Sequence, residues 1–126
     1  VNRSIHKVYE EERGVIINYE GTTELPRGSG AKTPVGPEFW KSIAAFDALK
    51  EVRKINIPVF LVHGDQDTKV STEEVQEVFA AIPSKKKKLK IFKGGDHGIT
   101  DILRPMRNEF IADVVSWFQS TLGNRR

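Results

Sequence analysis

The sequence contains no cysteine. Disulfide frameworks, thiolate metal ligands and thiol nucleophiles are therefore excluded, and the absence fits a reducing compartment, so a cytoplasmic location is expected. No apolar run approaches the ~18 residues that a membrane-spanning helix needs, and no membrane partner is expected. The opening Val1-Asn2-Arg3-Ser4 is followed by no apolar stretch of the kind a secretory leader carries, and it starts on Val rather than Met, which points to a trimmed or excised piece. Three histidines, His6, His63 and His97, lie far apart and lack ligand spacing, so no metal is expected. No glycine-rich loop opens a helix directly after a strand to cradle a phosphate, so no cofactor is expected either.

What is present describes an ordinary soluble globular chain. It has 126 residues, 38% hydrophobic and 29% charged, enough for one domain. The net charge of +3 is concentrated in Lys85-Lys86-Lys87-Lys88 and in Arg125-Arg126. The lysine run reads as a solvated loop between a helix and a strand. It has no interleaved aromatics and no nucleic-acid fold signature, so no nucleic-acid partner is expected.

The chain is organised around residues 57–98. Pro58-Val59-Phe60-Leu61-Val62 is apolar without alternation, which predicts a parallel strand covered on both faces. It ends in His63-Gly64-Asp65-Gln66-Asp67. Ser71-Thr72-Glu73-Glu74 predicts a helix start, with a capping hydroxyl and acids in the first turn. Val75, Val78, Phe79 and Ile82 form the stripe of that helix, and Pro83-Ser84 ends it. A second strand over 89–92 runs into Gly94-Gly95-Asp96-His97-Gly98. The last helix is predicted from Arg107 to Leu122, with Phe110, Ile111, Val114, Val115, Phe118 and Leu122 facing inward, Trp117 at the edge, and Gly123 as its cap.

Upstream, residues 6–20 place apolar residues on both sides of Arg13-Gly14, which predicts a β-hairpin or two short strands. Residues 21–37 are dense in Gly, Pro, Thr and Ser and predict a long loop. From Pro37-Glu38 a helical pattern runs through Phe39, Ile43, Phe46, Leu49, Val52 and Ile55, with a break expected near Ala45–Asp47 and Trp40 in the core. Two regions result: 1–37, a hairpin and loop that would form part of a cap, and 38–126, a βαβα portion. The fold class is α/β, a partial doubly wound parallel sheet.

Both strands deliver a polar turn just past their C-terminal ends, where open α/β sheets place ligands and chemistry. Asp67 and His97 could meet there although 30 residues apart. An aspartate accepting from imidazole Nδ1 fixes the tautomer and leaves Nε2 free as a general base. Asp65 is the alternative acid, otherwise bracing its turn. Asp96 reads as a holder of the His97 loop, and His63 as a buried residue. His6 has no partner that the sequence names.

Gly64-Asp65-Gln66-Asp67-Thr68-Lys69-Val70 resembles the acid turn of the α/β-hydrolase superfamily, G-x-x-D-x-x-V, and Gly94-Gly95-Asp96-His97-Gly98 resembles its histidine turn. The flavour is that of the prolyl-oligopeptidase-like and dienelactone-hydrolase-like branch. Residues 57–122 resemble the C-terminal third of such enzymes, 38–56 fit the preceding helix, and 1–37 fit only loosely. The resemblance implies that Asp67 is the triad acid and His97 the general base of an esterase or acyl-peptidase-like serine hydrolase, acting on a small-molecule ester or a peptide. It also implies a nucleophile in an upstream G-x-S-x-G elbow, and the sequence has none. Gly28-Ser29-Gly30 lacks the spacing and reads as a turn, while Ser71 reads as a helix cap. The partner implied is therefore the missing N-terminal half of the hydrolase. A different reading is a non-catalytic interaction module, for which half a sheet predicts pairing through its open edge, for instance as a homodimer.

Overall fold

The computed structural model describes residues 5–98 and 104–123. They form two compact units, Val1–Asp47 and Ala48–Arg126.

The first unit opens with a short helix, α1 (Ile5–Lys7), continued by one π-helical turn over Val8–Glu12. The expected strands over 6–20 do not form. Gly14 ends the helical segment at φ +60, in the left-handed conformation that glycine adopts without a Cβ penalty. The Val15 amide then donates back to the Tyr9 carbonyl at 2.9 Å. Arg13-Gly14 is thus a helix terminus rather than a hairpin turn.

A hairpin does form, but from the stretch read as a loop. β1 (Thr23–Pro26) pairs antiparallel with β2 (Lys32–Val35), in the register Thr23↔Val35 to Pro26↔Lys32. Pro26 and Pro34 hid it, because proline cannot donate to a ladder. In a two-stranded sheet each strand keeps a free edge where no donor is required. Thr23 and Leu25 point inward, Glu24 and Pro26 outward.

α2 (Pro37–Ala45) starts with proline in its first turn, where the missing N–H has no helical partner to lose. It carries Trp40, 1% exposed, into a cluster with Val15 and Leu25, flanked by Tyr9, Ile17 and Val35. The Tyr9 and Phe39 rings meet the indole edge-on, with centroids 5.7 and 5.0 Å away. Burying an indole N–H without a partner would cost ~1–3 kcal/mol. Here Nε1 donates to Thr23 Oγ1 at 3.2 Å, and that oxygen also accepts from the Asn18 amide at 2.9 Å. His6, without a foreseeable partner in the sequence, lies with Nδ1 3.2 Å from the Tyr19 hydroxyl. Helical bonding stops at Ala45 and resumes at Ala48, the break expected there.

The second unit runs α3 (Ala48–Val52), β3 (Val59–Gly64), α4 (Thr72–Ala81), β4 (Lys87–Phe92) and α5 (Arg104–Leu122). β3 and β4 pair in parallel, in the register Val59↔Lys87 to Gly64↔Phe92. α4 lies against β3 and begins with a complete capping box, in which Ser71 Oγ accepts from the Glu74 amide and the Glu74 carboxylate accepts from the Ser71 amide.

The lysine run is a solvated loop only in its first half: Lys85 and Lys86 are exposed between α4 and β4. Lys87 and Lys88 belong to β4. Lys87 Nζ donates to the carbonyls of Phe79 and Ile82 at 2.8 and 2.7 Å, so a cation neutralises the last free carbonyls of α4.

α5 meets the sheet through Trp117 on Phe60, with ring centroids 5.5 Å apart, and Phe110 on Phe92, 6.3 Å apart. Lys90 adds ion pairs to Glu109, at 2.6 Å, and to Asp113. Two expectations change here. Trp117 packs on the strand instead of sitting at an edge, while Ile111, Val115, Phe118 and Leu122 are exposed, Leu122 at 61%. Likewise Val59–Val62 are only half-buried. Among the described residues this sheet has two strands, too narrow to cover a broad helix face or to be covered on both of its own.

Replacing Ser71 with Ala is expected to lower stability by about 1 kcal/mol through loss of the cap, read as a lower urea midpoint with unchanged m. An unchanged midpoint would show that this cap contributes nothing measurable.

Candidate active site

Parallel pairing sets Gly64 level with Phe92, so the two polar turns leave the same end of the sheet side by side. They are bonded to each other at several points. The Asp65 amide donates to the Phe92 carbonyl at 3.1 Å, and the Gln66 amide to the Gly95 carbonyl at 2.8 Å. In return the Gly94 amide donates to Asp65 Oδ1 at 2.6 Å. Gly64 must be glycine for this approach, because a Cβ there would collide with the Gly95 carbonyl. Gly94 takes φ +80 as β4 turns into its loop.

These contacts bring Asp67 and His97 together, as their places in the sequence predict. His97 Nδ1 lies 2.9 Å from Asp67 Oδ2. Asp67 Oδ1 accepts from the Lys69 and Val70 amides at 2.8 and 3.1 Å. Each carboxylate oxygen therefore has its own donors. The Asp67 side chain is 3% exposed, the His97 side chain 53%. Burial pushes the Asp67 pKa up, but the bond to His97 and the two amide bonds outweigh it and hold the carboxyl at about 2, below its ordinary 3.8. An ionised Asp67 only accepts, so Nδ1 carries the proton and donates, which makes Nε2 the acceptor nitrogen in the neutral form of the ring.

The remaining polar residues take other places. Asp65 Oδ1 is engaged by Gly94 rather than by an imidazole. Asp96 Oδ1 accepts from the Gly98 amide at 3.1 Å, closing the loop that carries His97. His63 is buried at 7% exposure, with Nδ1 3.7 Å from Asp67 Oδ2. The residue pattern did not announce that proximity; its only signal was the four-residue offset from Asp67. Among the described residues no group of three or more His, Asp or Glu side chains could hold a metal ion, and no helix is long and apolar enough to cross a membrane.

The family model for serine aminopeptidase S33 matches residues 39–101, half of the chain, including both turns. The chain belongs to this family. The wider α/β-hydrolase superfamily, to which the two turns pointed, is thereby established for it. Among solved structures, it is similar to Est1E from Butyrivibrio proteoclasticus, at 22% identity and a TM-score of 0.56, a likeness of fold. The match covers 75% of this chain and 37% of that one, so the chain spans well under half the length of this neighbour. No curated protein matches the chain. The small parallel sheet with its helices is a partial α/β-hydrolase fold.

Because the Asp67 pKa is depressed on folding, the unfolded chain takes up the proton first as pH falls. The stabilisation from this group is complete above pH 3.8 and disappears as pH falls toward about 2, following the linkage between proton uptake and folding. Urea midpoints of the native chain are expected to fall more steeply across that window than those of Asp67→Asn. Parallel slopes for the two proteins would contradict the bonding described for Asp67.

Proposed function

We propose that the chain supplies the acid and the general base of a serine hydrolase that cleaves ester or amide bonds. The observation that carries this reading is the 2.9 Å contact from His97 Nδ1 to a buried Asp67 carboxylate, in a family described as serine aminopeptidase. The 53% exposure of the His97 side chain supports a role toward a reacting group outside the pair.

In this scheme the nucleophile is a serine that this chain does not contain, supplied by the remainder of the hydrolase fold. His97 Nε2 takes the proton from the serine hydroxyl as its oxygen attacks the carbonyl carbon of the substrate. The imidazolium that forms is stabilised by Asp67, then returns the proton to the departing alcohol or amine. Water then repeats the sequence on the acyl-serine, with His97 again taking and returning one proton, and releases the acid. The substrate class is a small-molecule ester or a peptide.

A second reading is favoured by the exposed stripe Ile111, Val115, Phe118 and Leu122 and by the two-stranded parallel sheet. In it the chain is a non-catalytic unit that pairs with a copy of itself through its sheet edge. A strictly monomeric mass in light scattering at high concentration counts against it.

The isolated chain is expected to remain unlabelled by a fluorophosphonate. Joined to the remainder of the fold, it is expected to hydrolyse a p-nitrophenyl ester. There, His97→Ala and Asp67→Ala should each lower kcat by ~10³-fold or more, with losses that do not add in the double variant. Ester hydrolysis that survives both substitutions would sink the proposal.

A further inference from the structure

We propose that Asp65 is a positioning residue for His97, acting through the main chain of the histidine turn. The inference rests on the reading of Asp67 and His97 as an acid–base pair and concerns what holds that pair in register.

The problem is mechanical. The His97 side chain is 53% exposed, so packing does not orient the ring. Its loop leaves β4 through Gly94-Gly95, the most permissive pair of residues a chain can offer. Something outside the loop has to fix it, and Asp65 contacts it twice. The Asp65 amide donates to the Phe92 carbonyl, where β4 ends, at 3.1 Å. Its Oδ1 accepts from the Gly94 amide at 2.6 Å, across 29 residues of sequence. An amide bonded to a carboxylate is roughly twice as strong as one bonded to a neutral acceptor. Gln66 Nε2 also reaches Asp65 Oδ1, at 3.3 Å, which steadies the carboxylate.

Gly94 holds φ +80, and its anchored amide fixes the direction in which the loop departs. On the other side of the ring, Asp96 Oδ1 accepts from the Gly98 amide at 3.1 Å. His97 is therefore suspended between two tied amides. One tie is internal to its loop, and the other is imposed by the acid turn. Asp67 receives the imidazole, and Asp65 delivers it. Two aspartates two residues apart divide the work, which accounts for a second carboxylate that accepts from no imidazole.

The test uses the 126-residue chain and needs no substrate. Ring-nitrogen NMR shifts of His97 report which nitrogen carries the proton, and hydrogen exchange reports protection of the Gly94 amide. In the native chain His97 is expected as the Nδ1–H tautomer. In Asp65→Ala the ring should lose that preference, and Gly94 protection should fall about tenfold or more. Asp65→Asn, which keeps an oxygen acceptor, should restore both. A merely structural role for Asp65 would lower the melting temperature without moving the tautomer of the folded chain. If Asp65→Ala does not fold, Asp65→Ser, with a shorter acceptor, is read the same way. A His97 signature identical to the native one in the folded variant overturns the proposal. Asp67→Asn separates the two levels. If it leaves the His97 signature unchanged, the acid–base pair itself is refuted. If it changes the signature while removal of Asp65 does not, only the positioning role fails.

Discussion

Parallel pairing that sets Gly64 opposite Phe92 is the constraint on which the site depends. It brings two turns, 30 residues apart in the chain at Asp67 and His97, out of one end of the sheet at the same level. Main-chain bonds between the turns, and the absence of any side chain on Gly64, then bring them into contact. A shift of one residue in that register would turn the inward face of either strand outward, and would also separate the acid from the imidazole by a residue's rise.

Asp67 shows how a small unit keeps a buried charge. Desolvation alone would push this carboxyl toward neutrality. Two amides and one imidazole more than offset it, because each donor is delivered by the same turns that remove water. The geometry that buries the group therefore also ionises it. An ionised acid pins the proton on Nδ1, which the general-base role proposed for His97 requires. His63, buried beside the same oxygen, places a second imidazole next to Asp67.

The rest of the second unit is built on a sheet that is two strands wide among the described residues. Two strands bury Phe92 and Ile82 but leave Val59–Val62 half-covered, and an isolated pair of strands is marginal without further layers. α5 spends one face on Phe60, Phe92 and Lys90 and leaves a neighbouring apolar stripe to solvent. That agrees with a match covering 37% of the neighbouring fold. The first unit manages differently, hanging a small core on one fully buried indole whose N–H is satisfied by Thr23.

Local chemistry was enough to determine the strands, the capped helix and the two turns of the second unit. An unbroken apolar run, Ser71 three residues before Glu74, and glycines around Asp67 and His97 each act within a few residues, and α/β class and the Asp67–His97 pairing follow from them. What depended on distant partners was not written in the pattern. Whether Val8-Tyr9 is strand or helix is decided by what Gly14 does and by the indole edge against Tyr9. Pro26 and Pro34 are tolerated in strands because each faces a free edge. Lys87 is strand rather than loop because its ammonium caps α4. Ile111 and Phe118 are exposed because the sheet beneath α5 is two strands wide. And Asp65 reaches Gly94, not an imidazole, because Gly64 lets the two turns touch. The deciding groups lie five residues apart for Lys87 and the Ile82 carbonyl and 29 apart for Asp65 and the Gly94 amide, and only the tertiary structure sets which of them meet.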